Sequence, residues 1–297
     1  DSKIPLAASF NNLNDKIYED DFVELAAWYY TEGSYDRRSG SYVNIRQSET
    51  ANPEYCDRIY NLLTRLFGPS GPLPRGKRLD SEMVNLAVKM LKEGSATAKI
   101  SAVTGISQET IRRWKIGERT PNLNPAFWDV KRYDDCMTFV ISSSVVSELL
   151  SCITGSDKIP SLDFINSMTN TQLNLFIDVS IMADGSEDQN QRCLIQSNEE
   201  RIKAFEMICV LAGKPFHTSF RKNSNCAKIS LLRNEYTNPI SSLNQRGSSP
   251  EMVHYNDVIW CPRVQHGNWF ARRNGCGYFT GNTYEGYAGY SSDGTYV

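Results

Sequence analysis

Leu25-Ala26-Ala27-Trp28-Tyr29-Tyr30-Thr31-Glu32-Gly33 is an apolar, helix-forming run that closes on an acid and a glycine. Ile177-Asp178-Val179-Ser180-Ile181-Met182-Ala183-Asp184-Gly185 repeats the design further along the chain. The flanks match as well. Val43-Asn44-Ile45-Arg46-Gln47-Ser48-Glu49 answers to Cys193-Leu194-Ile195-Gln196-Ser197-Asn198-Glu199. A helical pattern follows each, Glu54 to Leu66 and Glu199 to Leu211, with Arg58-Ile59 or Arg201-Ile202 near its start and Gly68 or Gly213 beyond its end. Self-similarity of this kind implies two copies of one helix–sheet–helix unit. An acid near a helix C-terminus is unfavourable against the helix dipole, so placing one there twice asks for a reason. Copies packed about a pseudo-twofold axis would bring the acid-bearing helix ends together, and paired carboxylates suit a divalent cation.

The 297 residues suffice for a large core and more than one unit. Hydrophobic residues make up 40% and charged residues 22%, ordinary for a soluble globular protein. The net charge of −2 excludes an overall basic signature, so any nucleic-acid surface has to be local. Eight cysteines without a CxxC pair argue against a zinc site and a disulfide framework and fit a reducing, cytoplasmic setting. No apolar run approaches the roughly 18–20 residues of a membrane span, and no signal peptide is visible. The chain starts at Asp1 without an initiator methionine, which reads as a piece of something longer.

Outward from the repeats, residues 1–20 read as a lead-in strand and loop. Residues 21–76 carry the first part of repeat one, with Arg37 and Arg38 on a hairpin-like turn and a Pro/Gly-rich linker after Gly68. Residues 77–122 are a helical insert. One helix runs from Asp80-Ser81 to about Lys92, a short one from Ala98 to Val103, and a third, capped by Ser107, from Gln108 to Lys115. The short helix, Thr104-Gly105-Ile106 turn and Arg-rich helix match a helix-turn-helix. Ile100, Val103, Ile106, Ile111 and Trp114 are its expected core, with Gln108, Glu109, Arg112, Arg113 and Lys115 outside. Residues 123–160 return to repeat one, with a strand over Met137–Ile141, a helix over Ser144–Ile153 and a loop holding Lys158. Repeat two occupies 161–250. Residues 251–282 change to short β-like runs, including Trp269–Ala271 and Tyr278–Thr280, and 283–297 are a Gly/Tyr/Ser-rich tail.

The doubled motif resembles the two signature helices of LAGLIDADG homing endonucleases, and the Gln-Ser strands and the Lys158 loop before Pro160 resemble the intein-encoded branch of that family. The resemblance covers roughly residues 15–68 and 135–240. It implies an α/β (α+β) pseudo-twofold fold of two αββαββα-like repeats whose saddle-shaped antiparallel sheets lie in the DNA major groove. It further implies Mg²⁺ (or Mn²⁺) held by Glu32 and Asp184, close backbone approach at Gly33 and Gly185, and hydrolysis of both strands of a duplex, one acid per strand. Lys158 would sit near the phosphate, Gln47 and Gln196 would contact water or bases, and the protein would act as a monomer. Arg37, Arg38, Arg46, Gln108, Arg112, Arg113 and Lys115 are candidates for phosphate and base contacts. Asp178 stands where the family is usually apolar, and Thr31 and Val179 where it prefers very small residues.

The last segment resembles the C-terminal splicing region of an intein (a β-rich Hint fragment). Cys261 would be the internal nucleophile, Thr280 its companion and His266 an acid. Asn282 would cyclise to release Thr283, with Gly281 where a histidine is common. Splicing would need an N-terminal intein half as partner. Two other readings stand beside the nuclease: a DNA-binding protein whose nuclease has decayed, and a splicing element carrying a passenger domain.

Overall fold

The computed structural model describes residues 4–8, 16–36, 42–73, 81–121, 126–187, 191–220, 226–237 and 267–281, with 254, 256, 262, 264 and 265. The elements run β1 (Ile4–Pro5), α1 (Asp20–Glu32), β2 (Gly33–Tyr35), β3 (Tyr42–Ser48), α2 (Pro53–Phe67), α3 (Ser81–Lys92), α4 (Thr97–Thr104), α5 (Gln108–Lys115), β4 (Trp128–Tyr133) and β5 (Cys136–Ser142). They continue with α6 (Ser147–Cys152), β6 (Ile153–Thr154), β7 (Ile159–Pro160), α7 (Leu162–Ser167), α8 (Asn170–Asp184), β8 (Gly185–Glu187) and β9 (Arg192–Gln196). Then come α9 (Glu199–Leu211), β10 (Phe216–Phe220), β11 (Ala227–Leu231), β12 (Tyr236–Thr237), β13 (Asn268–Arg273) and β14 (Cys276–Gly281). The chain divides into two compact units, residues 32–151 and residues 1–31 with 152–297. None of the described helices is long and apolar enough to cross a membrane.

The unit 32–151 is built on an antiparallel sheet of order β2-β3-β5-β4. Alternation along β3 buries Val43, Ile45 and Gln47 and turns Asn44 and Arg46 the other way. Ile45 pairs with Phe139 and Val43 with Ile141, so the covered face is continuous across the strands. Helix α2 starts with Pro53 in its first turn, where no N–H is missed, and contributes buried Ile59, Leu62 and Leu63. Trp128 closes this core, its indole donating to Gly68 O at 2.8 Å and meeting Tyr60 edge-on at 5.1 Å.

Helices α3–α5 have a separate small core of Val84, Ala87, Ile100, Ile106 and Ile111, with Trp114 packed at its margin. Gly105, at φ +69°, makes the turn between α4 and α5, and Ser107 caps α5 by accepting from Thr110 N at 3.2 Å. Val103 is not part of this core, being 52% exposed. Thr104 takes the inward place instead, donating its hydroxyl to Ile100 O at 2.7 Å. The helix expected over Ser144–Ile153 is a 3₁₀ turn (Ser143–Val145) followed by α6, and Ile153 leaves the helix to pair with Pro160.

In the other unit, a six-stranded sheet runs β13-β14-β10-β11-β9-β8. Its β8-β9-β11-β10 part follows the same connectivity as β2-β3-β5-β4: helix ending in an acid, Gly-led strand, strand, helix, strand pair. The registers correspond as well, Gly33 lying opposite Ile45 and Gly185 opposite Leu194. The strands expected at Trp269–Ala271 and Tyr278–Thr280 fall in β13 and β14, and this hairpin widens the sheet through the His217–Cys276 pairing. Buried Glu206 ties it down, accepting from Thr218 Oγ1 at 2.6 Å and Arg272 Nη2 at 2.8 Å. Helix α1 is buried at every position from Val23 to Thr31. It meets α8 through the Tyr30–Phe176 rings at 5.4 Å and through Gln172, whose amide donates to Asp20 Oδ1 at 3.0 Å. Gln172 also completes a capping box with Thr169 at the start of α8.

Candidate active site at the ends of the motif helices

The last carbonyls of a helix have no intrahelical partner and carry the negative end of its dipole, so cations gather there. At the end of α1 two cations do so. Lys158, in the β6–β7 turn at φ +55°, donates to Thr31 O at 2.7 Å. The Arg201 guanidinium donates to Tyr30 O and lies over the Tyr30 ring, 4.5 Å from its centroid. The Tyr30 hydroxyl in turn donates to Arg201 O at 3.1 Å. Burial pushes the Tyr30 phenol well above its usual pKa against the pull of Arg201, and Asp184 adds to the rise, so Tyr30 is a neutral donor and Asp184 lies within electrostatic reach of it. Half-buried Glu32 follows Thr31 directly in the chain.

Asp184 is half-buried at the end of α8. Beyond it the backbone is hemmed in: a Cβ on Gly185 would come within 2.3 Å of both Cys193 O and Ile181 O. The close approach, not a left-handed φ, requires glycine here (φ −114°). Asp178, unexpected in an apolar motif, faces out and accepts from Arg192 on β9 at 2.8 Å. Thr31 is accommodated by donating its hydroxyl back to Ala27 O at 3.0 Å.

Gln47 and Gln196 occupy matching positions on β3 and β9. Both are buried, on the face of their strand shared with Ile45 and Leu194. Gln47 Oε1 accepts from Asn52, the N-cap residue of α2, at 3.1 Å. Gln196 Oε1 accepts from Ser197 N at 3.0 Å and Asn198 N at 3.2 Å, and Asn198 caps α9 by accepting from Arg201 N at 3.0 Å. These glutamines hold helix starts. The opposite face of the first sheet carries Arg46 in a cross-strand row with Thr138 and Lys131, a cation that the sequence pattern did not single out.

On α5, Gln108, Arg112, Arg113 and Lys115 are all exposed. Glu109 engages both arginines, accepting from Arg112 Nε and Arg113 Nε at 2.8 Å each. The Arg112 guanidinium first, and Arg113 second, hold its carboxyl down from 4.5 to about 2. A depressed acid stabilises the folded chain above its unfolded pKa, and that contribution fades as pH falls from about 4.5 toward 2. It is therefore intact at neutral pH.

Arg37, Arg38, Cys261, His266, Asn282 and Thr283 lie outside the described residues. Thr280 is on β14 opposite Trp269. A Cβ at Gly281 would meet Gly267 O at 2.7 Å, which leaves no room for the histidine common in inteins. Among the described residues no three His, Cys, Asp or Glu side chains cluster as a metal centre, and none of the seven described cysteines is paired in a disulfide. The donors present are single hard carboxylates at two helix ends. They fit Mg²⁺ in its usual mode, one or two carboxylates completed by substrate phosphate and water, and do not form a cage of protein ligands.

No family model matches the chain, and no curated protein matches it. Among solved structures, one described as mesophilic variants from the homing endonuclease I-DmoI is similar over 72% of this chain and 83% of its own, at 9% identity and a TM-score of 0.42.

Proposed function

We propose that the chain is a site-specific, Mg²⁺-dependent DNA endonuclease of the homing type. The observation that carries this reading is the doubled connectivity, in which each copy leads an acid-terminated helix through a glycine into an antiparallel sheet. Glu32 and Asp184 each hold a cation shared with a backbone phosphate. The ion, when bound, supplies charge neutralisation at the phosphate and a more acidic water. Lys158 keeps the terminal carbonyl beside Glu32 engaged. Arg46 and Lys131 contact backbone phosphates from the open sheet face, and Gln108, Arg112, Arg113 and Lys115 extend the footprint from the helix-turn-helix insert. The C-terminal segment that resembles an intein splicing region places the nuclease, in this reading, within a splicing element.

Because the target is unknown, the test is selection. The purified chain is incubated with a randomised duplex library and Mg²⁺, and the new ends are ligated and sequenced. Enrichment of one long motif, abolished by chelator, is the expected outcome. Retention of a motif by the protein with no cut ends would instead indicate binding without a nuclease, and no enrichment of either kind would remove the proposal.

Glu109→Gln gives a second expectation. It releases two guanidinium groups that the acid now occupies. Binding to random-sequence duplex should tighten, and the slope of log affinity against log salt should steepen by about 1–2 phosphate contacts, read by fluorescence anisotropy. An unchanged slope would place α5 away from the DNA backbone.

A further inference from the structure

We infer that Arg201 is a positioning residue for cleavage, setting the last turn of α1 from which Glu32 projects; this rests on the endonuclease reading above. Arg201 and Tyr30 form a closed reciprocal pair of three contacts. The guanidinium donates to Tyr30 O, its face lies 4.5 Å from the Tyr30 ring centroid, and Arg201 O accepts the Tyr30 hydroxyl at 3.1 Å. Each partner is itself held. Tyr30 is fully buried and packs on Phe176 at 5.4 Å. Arg201 N is fixed by Asn198 at 3.0 Å, and Asn198 N by Gln196 at 3.2 Å. A continuous relay thus runs from β9 through the start of α9 to the carbonyl two residues before Glu32. With Lys158 on Thr31 O, the final two carbonyls before the acid are both engaged.

Stability alone is a poor account of this arrangement. Arg201 Nε is buried without a partner among the described residues, and an unmet buried donor is a cost that a neutral side chain would avoid. The guanidinium, favourable at the negative end of the helix dipole, also fixes a carbonyl that would otherwise be left to rearrange. Fixing a carboxylate within a fraction of an ångström of its productive place is what such a device achieves, since small displacements near the reacting centre cost large factors in rate.

The experiment uses the whole chain on its selected duplex and measures nicking of each strand separately, alongside affinity in Ca²⁺ and thermal midpoints. Arg201→Ala should cut one strand about 10- to 100-fold more slowly, the strand on which Glu32→Gln acts, while the other strand and the dissociation constant change less than about threefold. Arg201→Lys keeps the charge and one donor and should recover part of the rate. Equal slowing of the two strands, or loss of affinity in proportion to rate, would make Arg201 merely structural and overturn the inference. A wild-type chain that cuts nothing would instead overturn the endonuclease reading, so the two failures are distinct.

Discussion

Asp184→Asn is expected to leave binding of the target duplex within about twofold of wild type while slowing cleavage roughly a thousandfold, equivalent to about 4 kcal/mol of transition-state stabilisation. The substitution keeps the shape and the hydrogen-bonding capacity of the side chain and removes only its charge. A neutral amide oxygen is a poor ligand for a hard divalent cation, which dehydrates reluctantly and needs an anionic donor to do so. No three-ligand cluster of His, Cys, Asp or Glu exists among the described residues. Glu32→Gln should behave in the same way, each variant sparing one strand more than the other. Single-turnover rates on end-labelled duplex, with affinity measured in Ca²⁺, decide it. An Asp184→Asn protein that cuts at the wild-type rate would show that this carboxylate has no part in the chemistry.

Gly185→Ala should destabilise its unit strongly, and far more than Gly105→Ala destabilises the helical insert. The new Cβ would lie 2.3 Å from two backbone oxygens, Cys193 O and Ile181 O, and neither belongs to a flexible side chain. Either α8 loses its last turn or β8 leaves β9. Overpacking against backbone puts the loss at about 3 kcal/mol, which lowers the thermal midpoint by roughly 6–12 °C for a unit of this size. Gly105→Ala provides the contrast: φ is +69° but nothing lies within 4 Å of the added atom, so only backbone strain of about 1 kcal/mol applies. Scanning calorimetry of the two variants should rank them in that order, and cleavage should fall with Gly185→Ala even below its midpoint because Asp184 moves with the helix end.

The repeat was legible because it is written in covalent order. The apolar run, acid and glycine recur at one spacing, and the connectivity follows from chain order and short loops. The bounds of α5 were legible for a local reason, Ser107 before the first turn and a glycine after the last. What stayed hidden depends on partners far along the chain. Gln47 and Gln196 alternate with apolar residues, and alternation alone does not tell which face is covered. Val103 has the right character for a core but lost its place to a threonine that satisfies its own hydroxyl. Lys158 was picked out, yet its partner, the carbonyl of Thr31, lies on α1, far back in the sequence. Arg201 recurred with Arg58 in the repeat, and that recurrence was the available signal; its seat on Tyr30 required the tertiary structure.

The β13–β14 hairpin bears on how this polypeptide can be shortened. Glu206 is only 7% exposed in its side chain, and its cationic partner arrives from Arg272 on the hairpin. An expression boundary drawn before Asn268 would discard that partner and leave the buried carboxylate with the Thr218 hydroxyl but without its cation. Trimmed versions should therefore carry a neutral residue at 206 to keep the yield of soluble protein.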